Sequence, residues 1–234
     1  MTRKGLIEGF GGCPSVCHHR KDTLKSGEQF PSQRGIQWQP RGKTKGGAVN
    51  LSGIVGYVGN RNAVSVIFEG LRTLEFHGYD SVGYALISDD SLVINKKAVK
   101  IADLEKEIDQ NCHSQVGVGH IRLATHGSPV DSNAHPHCDC TGKFAVVHNG
   151  IIENFHELRS ELEKKGHRFT SETDTEVIPH LIEDAYQGDL LSALRKALEQ
   201  VRGSYALVVI SKDQPDRLLA ARKNNPIIVG LGEG

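Results

Sequence analysis

The chain lacks any long hydrophobic run: nowhere in its 234 residues do apolar side chains approach the roughly 18 consecutive positions of a membrane-spanning helix. A membrane is therefore not an expected partner. Cysteine is sparse and odd in number, five in all, which excludes a disulfide scaffold and fits a reducing, cytoplasmic setting. The basic start is not followed by the apolar stretch of a secretory signal. Net charge is absent too, with 28 basic and 28 acidic residues. What remains is ordinary soluble composition, 38% hydrophobic and 24% charged, and enough length for one good-sized domain with an appendage.

The zero net charge hides an asymmetry. Residues 1–51 carry nine Lys/Arg against three Asp/Glu, together with nine glycines and neither helical nor strand periodicity. This extension is read as disordered, as a propeptide or translated upstream sequence rather than a transit peptide. Its charges are scattered and interleaved only by Phe10, Phe30 and Trp38, so nucleic acid is not an expected partner. Two Cys/His runs, Cys13-x3-Cys17-His18-His19 and His135-Pro136-His137-Cys138-Asp139-Cys140, superficially suggest metal. The first lacks a second half at finger-like spacing, and the second crowds its donors too tightly to converge on one ion. No metal or other cofactor is expected.

From Ser52 onward the pattern becomes globular. Ile54–Val58 alternates as a strand, and Val64, Ile67, Phe68, Leu71 and Leu74 form one apolar helical stripe ended by Gly78. Tyr84–Ser88 and Leu92–Lys97 flank Asp89-Asp90-Ser91 as a hairpin. Val116–Leu123 and Phe144–His148 read as strands that run straight into polar motifs. Helices are expected over Phe155–Lys165, Thr175–Gln187 and Asp189–Gln200, with closing strands at Tyr205–Ile210, Arg217–Ala221 and Ile227–Gly230. Strands in hairpins and helices in blocks predict an α+β layered fold with mainly antiparallel sheets.

Four polar runs stand out: Ser52-Gly53-Ile54-Val55-Gly56-Tyr57, Leu74-Glu75-Phe76-His77-Gly78-Tyr79-Asp80-Ser81, His120-Ile121-Arg122-Leu123-Ala124-Thr125-His126-Gly127, and Ser171-Glu172-Thr173-Asp174-Thr175-Glu176. Val147-His148-Asn149-Gly150 lies between the third and fourth. Taken singly, Asn149-Gly150 is a turn signal, Arg122 a surface ion pair and Asp174 a helix N-cap. Their identity, order and spacing together point elsewhere. Residues 52–234 resemble the class II glutaminase domain of the glucosamine-6-phosphate synthase family, also called glutamine–fructose-6-phosphate aminotransferases.

The resemblance implies a four-layer αββα sandwich of the N-terminal-nucleophile hydrolase type, acting on L-glutamine. It implies that Ser52 occupies the nucleophile position, and that the Asn149 side chain and Gly150 N–H form the oxyanion site. Arg122 would grip the substrate α-carboxylate and Asp174 the α-ammonium, with Thr125 and His126 completing the pocket. Three positions depart from the family. Ser52 replaces a cysteine that stands first in the mature chain, His77 replaces an arginine, and Leu123 replaces a tryptophan. The sugar-isomerase half is lacking, so the module is read as truncated, with a separate synthase chain as a partner.

Both departures at residue 52 fall on the chemistry. In the family the terminal α-amine is the base, and an amine pKa of about 7.7–8 suits that task. Here Ser52 follows Leu51, and an amide nitrogen has no usable lone pair. A hydroxyl is also a weaker nucleophile than a thiol. The uncleaved chain is therefore expected to be impaired as a glutaminase. Two alternatives stay open: an inactive glutamine-binding remnant, or the amidotransferase domain of glutamate synthase or amidophosphoribosyltransferase.

Overall fold

The computed structural model describes residues 15–17, 52–75, 79–109, 112–124 and 126–232. His77, Thr125, the Gly78 helix stop and all of the 1–51 extension except residues 15–17 lie outside them.

Two antiparallel sheets face each other. One runs β2 (Gly53–Val58), β5 (Val116–Arg122), β3 (Ser81–Ser88) and β4 (Ser91–Lys97) across its width. The other orders β1 (Ser15–Cys17), β9 (Leu218–Lys223), β8 (Gly203–Ser211), β7 (Phe144–Ile152) and β6 (His137–Cys138). Between them lies an apolar layer including Ala85, Val118, Val147, Val208 and Ile210. Helices α1 (Ala63–Leu74) and α2 (Ile101–Glu105) cover the outer face of the first sheet through Ile67, Phe68, Leu71 and Leu104. Helices α3 (Phe155–Lys164), α4 (Val177–Ala185) and α5 (Leu190–Glu199) cover the second through Leu158, Ile178, Leu181 and Leu194. The layers therefore stack αββα, as the resemblance implies.

Local chemistry explains the elements. The apolar stripe of α1 buries Ile67, Phe68 and Leu71, and the Asn62 side chain caps the helix by accepting from Val64 N–H at 3.2 Å. The β3–β4 hairpin turns through Asp89 and Asp90, both left-handed at φ 47° and 58°, the twist a two-residue turn requires. Asp189 caps α5 by accepting from Ser192 N–H.

Three expectations need correction. The strand expected over Phe144–His148 runs further: β7 continues through Asn149 and Gly150 to Ile152, paired with β8 along its length. Gly150 sits at φ 133°, and a Cβ there would meet the Ser204 carbonyl oxygen at 2.1 Å, so only glycine fits. The helix expected at Thr175–Gln187 begins instead as a 3-10 turn over Asp174–Glu176 and becomes α-helical at Val177. The Glu176 carboxylate folds that entry back by accepting from Thr170 N–H and Ser171 N–H. No strand forms at Ile227–Gly230. Pro226 lacks a backbone donor there, Ile227 packs against the inter-sheet layer, and Ile228 is exposed. The five-residue α2 and two-residue β6 are too short for periodicity to reveal.

Candidate active site

The antiparallel register gathers distant chain segments at one end of the sandwich. Gly53 at the start of β2 lies opposite Ile121 near the end of β5, and Arg122 lies opposite Ser81 at the start of β3. The far end of β7 brings Asn149 and Gly150 to the same place from the other sheet. The 3-10 turn at Asp174 closes the third side. Ser52, Arg122, Leu123, His126, Asn149, Gly150 and Asp174 together line one small cavity. The sequence-predicted set thus converges, apart from His77 and Thr125, which lie outside the described residues.

Ser52 is fixed through backbone contacts. Its Oγ accepts from Leu123 N–H at 2.9 Å, and its carbonyl accepts from Asn149 Nδ2 at 2.9 Å. Among the described residues no side-chain base is hydrogen-bonded to the hydroxyl. The oxyanion candidate Asn149 is therefore in direct contact with the residue at the nucleophile position.

The orientation of the Asn149 amide is set from behind. His120 Nε2 lies 2.8 Å from Asn149 Oδ1 and 3.2 Å from the His148 carbonyl. Both partners are acceptors, so Nε2 carries the proton and Nδ1 is the bare nitrogen. Burial pushes the His120 pKa down to about 4, keeping the ring neutral. This ring stacks on His135 at 4.3 Å. His135 Nε2 and His148 Nδ1 both reach Thr175 Oγ1, at 2.9 and 2.8 Å, and His137 Nε2 reaches Thr173 Oγ1 at 3.0 Å. Burial likewise pushes the pKa of His135, His137 and His148 downward. A neutral histidine layer thus joins Asn149 to the Thr173–Thr175 segment that carries Asp174.

Arg122 is not a surface ion pair: the residue is only 3% exposed. Its terminal nitrogens are committed to Asp80 Oδ1 and Ser128 O at 3.4 Å each, Gly127 O at 3.2 Å, and the His126 carbonyl. Burial lowers its pKa, with Asp80 and then Asp174 countering that. Asp80 also accepts from Ala124 N–H, which makes it the hub of this corner. Asp174 is not a helix cap either. Its Oδ2 accepts from Ile152 N–H at 2.7 Å, across to the end of β7.

Sequence reasoning assigned no role to Asp80, His120, His148 or Thr175. All four stand inside the polar runs named above. Their only signal was adjacency, because a buried histidine relay has no periodicity of its own.

Residues 120–229 match the glutamine amidotransferase domain family. The chain is 51% identical over 187 residues to the isomerising glutamine–fructose-6-phosphate aminotransferase of Symbiobacterium thermophilum, covering 79% of this chain and 30% of the relative. It is 54% identical to the Pyrococcus horikoshii enzyme of the same description, over 79% of this chain and 31% of that protein. The chain therefore spans about a third of the length of these curated relatives. Among solved structures, the glutamine phosphoribosylpyrophosphate amidotransferase of B. subtilis superposes with a TM-score of 0.59 at 25% identity, over 68% of this chain and 35% of that one. No helix among the described residues is long and apolar enough to cross a membrane. The higher identity to the fructose-6-phosphate enzymes ranks that lineage above the phosphoribosyl one. By sequence and by fold, the chain carries a class II glutamine amidotransferase domain of the N-terminal-nucleophile type, related to the glutamine–fructose-6-phosphate aminotransferases.

Proposed function

We propose that this domain is the glutamine site of an amino-sugar-forming amidotransferase, and that the uncleaved chain binds glutamine without hydrolysing it. The observation that carries this reading is the pairing of Ser52 with Asn149 at 2.9 Å beside Asp174 and Arg122, while the Ser52 nitrogen is tied up in the peptide bond to Leu51.

The chemistry follows from the atoms. With a free amine at Ser52, that amine takes the hydroxyl proton as Oγ attacks the side-chain amide carbon of glutamine. Asn149 Nδ2 and Gly150 N–H stabilise the oxyanion, ammonia leaves with the returned proton, and water hydrolyses the resulting ester to glutamate. With the Leu51–Ser52 bond intact, the proton has no acceptor and the first step stalls. Asp174 keeps its second oxygen for the substrate ammonium. The Arg122 fork receives the carboxylate once the 126–128 turn yields one of its carbonyl contacts. The cavity volume of about 20 Å3 holds a water molecule and not a glutamine, which also requires that corner to open.

Released ammonia needs an acceptor. Fructose 6-phosphate held by an isomerase-type unit is the acceptor this reading implies, in a reducing cytoplasm suited to free thiols. The test compares the intact, mass-verified chain with a version beginning at Ser52. Calorimetry should show glutamine binding to both, and glutamate release only from the second. Turnover by the intact chain would overturn the reading.

A further inference from the structure

The crowded His135–Cys140 run does not converge on one ion by itself, but its last cysteine meets three donors from elsewhere. Cys140, in the turn between β6 and β7, places Sγ 3.6 Å from His180 Nδ1 and 3.9 Å from His167 Nδ1. Glu183 Oε2 lies 3.1 Å from His167 Nδ1 and 3.4 Å from His180 Nδ1. All four donor atoms fall within 4.8 Å of one another. We propose that Cys140, His167, His180 and Glu183 form a tetrahedral site for a divalent transition-metal cation, Zn2+ by ligand set.

Tetrahedral zinc with bonds of about 2.3 Å to sulfur and about 2.0–2.1 Å to nitrogen and oxygen separates its ligand atoms by roughly 3.3–3.6 Å. The observed separations straddle that value. A mixed thiolate, imidazole and carboxylate set suits zinc better than the oxygen-seeking cations.

Hydrogen bonding alone does not account for the cluster. For both imidazoles to donate to Glu183, each must carry its proton on Nδ1. That leaves His180 Nε2, in a residue only 1% exposed, as a bare nitrogen without a hydrogen-bond partner and 4.0 Å from the Glu176 carboxylate. Two electron-rich groups would then face each other in the interior. If Nδ1 binds a metal, the proton moves to Nε2 and points toward Glu176, the carboxylate–histidine–metal arrangement. The sulfur also accepts from Arg168 N–H at 3.3 Å, a contact that favours thiolate over thiol. On binding, the Cys140 S–H bond breaks, its proton leaves to solvent and the sulfur pair enters the metal bond.

Four protein ligands and no open position make this a structural clasp. It would tie the β6–β7 turn and the segment after α3 to α4, which continues directly from the Asp174 turn.

The test uses the full chain carrying Cys13→Ser and Cys17→Ser, so that the extension contributes no thiol. One equivalent of Zn2+ should bind. Co2+ should give the visible spectrum of a tetrahedral centre with a near-ultraviolet thiolate band. Cys140→Ser should abolish that band and weaken Zn2+ at least tenfold, while Cys138→Ser leaves both unchanged. Should Cys140→Ser not fold, alkylation of the unaltered site decides: zinc should protect Cys140 from iodoacetamide and leave Cys138 reactive. No tetrahedral cobalt spectrum, a thiolate band that survives Cys140→Ser, or alkylation of Cys140 regardless of zinc would overturn the site.

Discussion

The two walls of the cavity have been treated differently by the sequence. One wall, built from Ser52 and Leu123, departs at both positions from the pattern that the resemblance implies. The opposite wall, built from Asn149, Gly150 and Asp174, keeps every residue the resemblance calls for. Their structural support differs in the same sense. Ser52 Oγ is hydrogen-bonded to backbone atoms of Leu123, which itself is partly exposed at 38%. Asn149 is locked by His120, Gly150 by close approach to Ser204, and Asp174 by Ile152 N–H. Surface drift would not divide along that line. On the proposed reading, the wall that makes the bond lacks its thiol and free amine, while the wall assigned to recognise and polarise glutamine keeps its expected residues.

The sharpest way to break this comparison is to restore the altered wall. A chain that begins at residue 52 and carries Ser52→Cys regains both thiol and amine. Its glutamate release should exceed that of the intact chain by about 10⁴-fold, the scale on which a nucleophile depends on its base partner. If the intact chain already matches it, the two walls are equally functional. In that restored chain, Asn149→Ala should then cost about 10²–10³ in rate with glutamine affinity nearly unchanged, as loss of one oxyanion donor does. A loss mainly in affinity would move Asn149 from polarisation to binding.

The held wall also has a characteristic weakness to acid. His120 is neutral in the folded chain with a pKa of about 4, against about 6.5 unfolded. A depressed folded pKa means the unfolded chain binds the extra proton first, so stability is full above pH 6.5 and falls as pH drops toward 4. The His120 share is on the order of 3 kcal/mol, since each pKa unit corresponds to about 1.4 kcal/mol. Burial makes His135, His137 and His148 act in the same direction, and the positive charge of Arg122 adds to the cost of charging His120 and His137. Urea unfolding from pH 7 to 4 measures this. His120→Gln should flatten the curve, and a curve already flat in the parent would show that the layer is charged or wet.

Much of this was legible in the sequence, and the reasons are physical. The α1 stripe, the Asp89-Asp90 hairpin and the helix expected over Asp189–Gln200 are local, so each follows from periodicity or turn chemistry within a dozen residues. The convergence of Ser52, Arg122, Asn149 and Asp174 came from motif order, not from any local signal. What stayed hidden depends on pairs distant in the chain. Asn149-Gly150 looks like a turn until β8 is laid beside it. Asp80 looks like loop polarity until Arg122 is buried against it. Cys140 looks like a member of its own crowded run until α4 brings His180 and Glu183 to it.

The smallest effect tests the head-group side of the held wall. Asp174 shares its carboxylate between two tasks: Oδ2 accepts from Ile152 N–H, and the other oxygen is assigned to the glutamine ammonium. Asp174→Asn keeps a carbonyl oxygen for Ile152, so the fold should survive with a melting temperature within a few degrees. The charge is lost, and a hydrogen bond to a charged group contributes about 1.5–3 kcal/mol. Glutamine affinity of the intact chain should therefore fall roughly tenfold to a hundredfold. Glutaramic acid, which lacks the α-amine, should bind parent and variant alike, because only the ammonium distinguishes them. An equal loss for both ligands would mean that Asp174 supports Arg122 and the Ile152 backbone, and that the ammonium is held elsewhere on this wall.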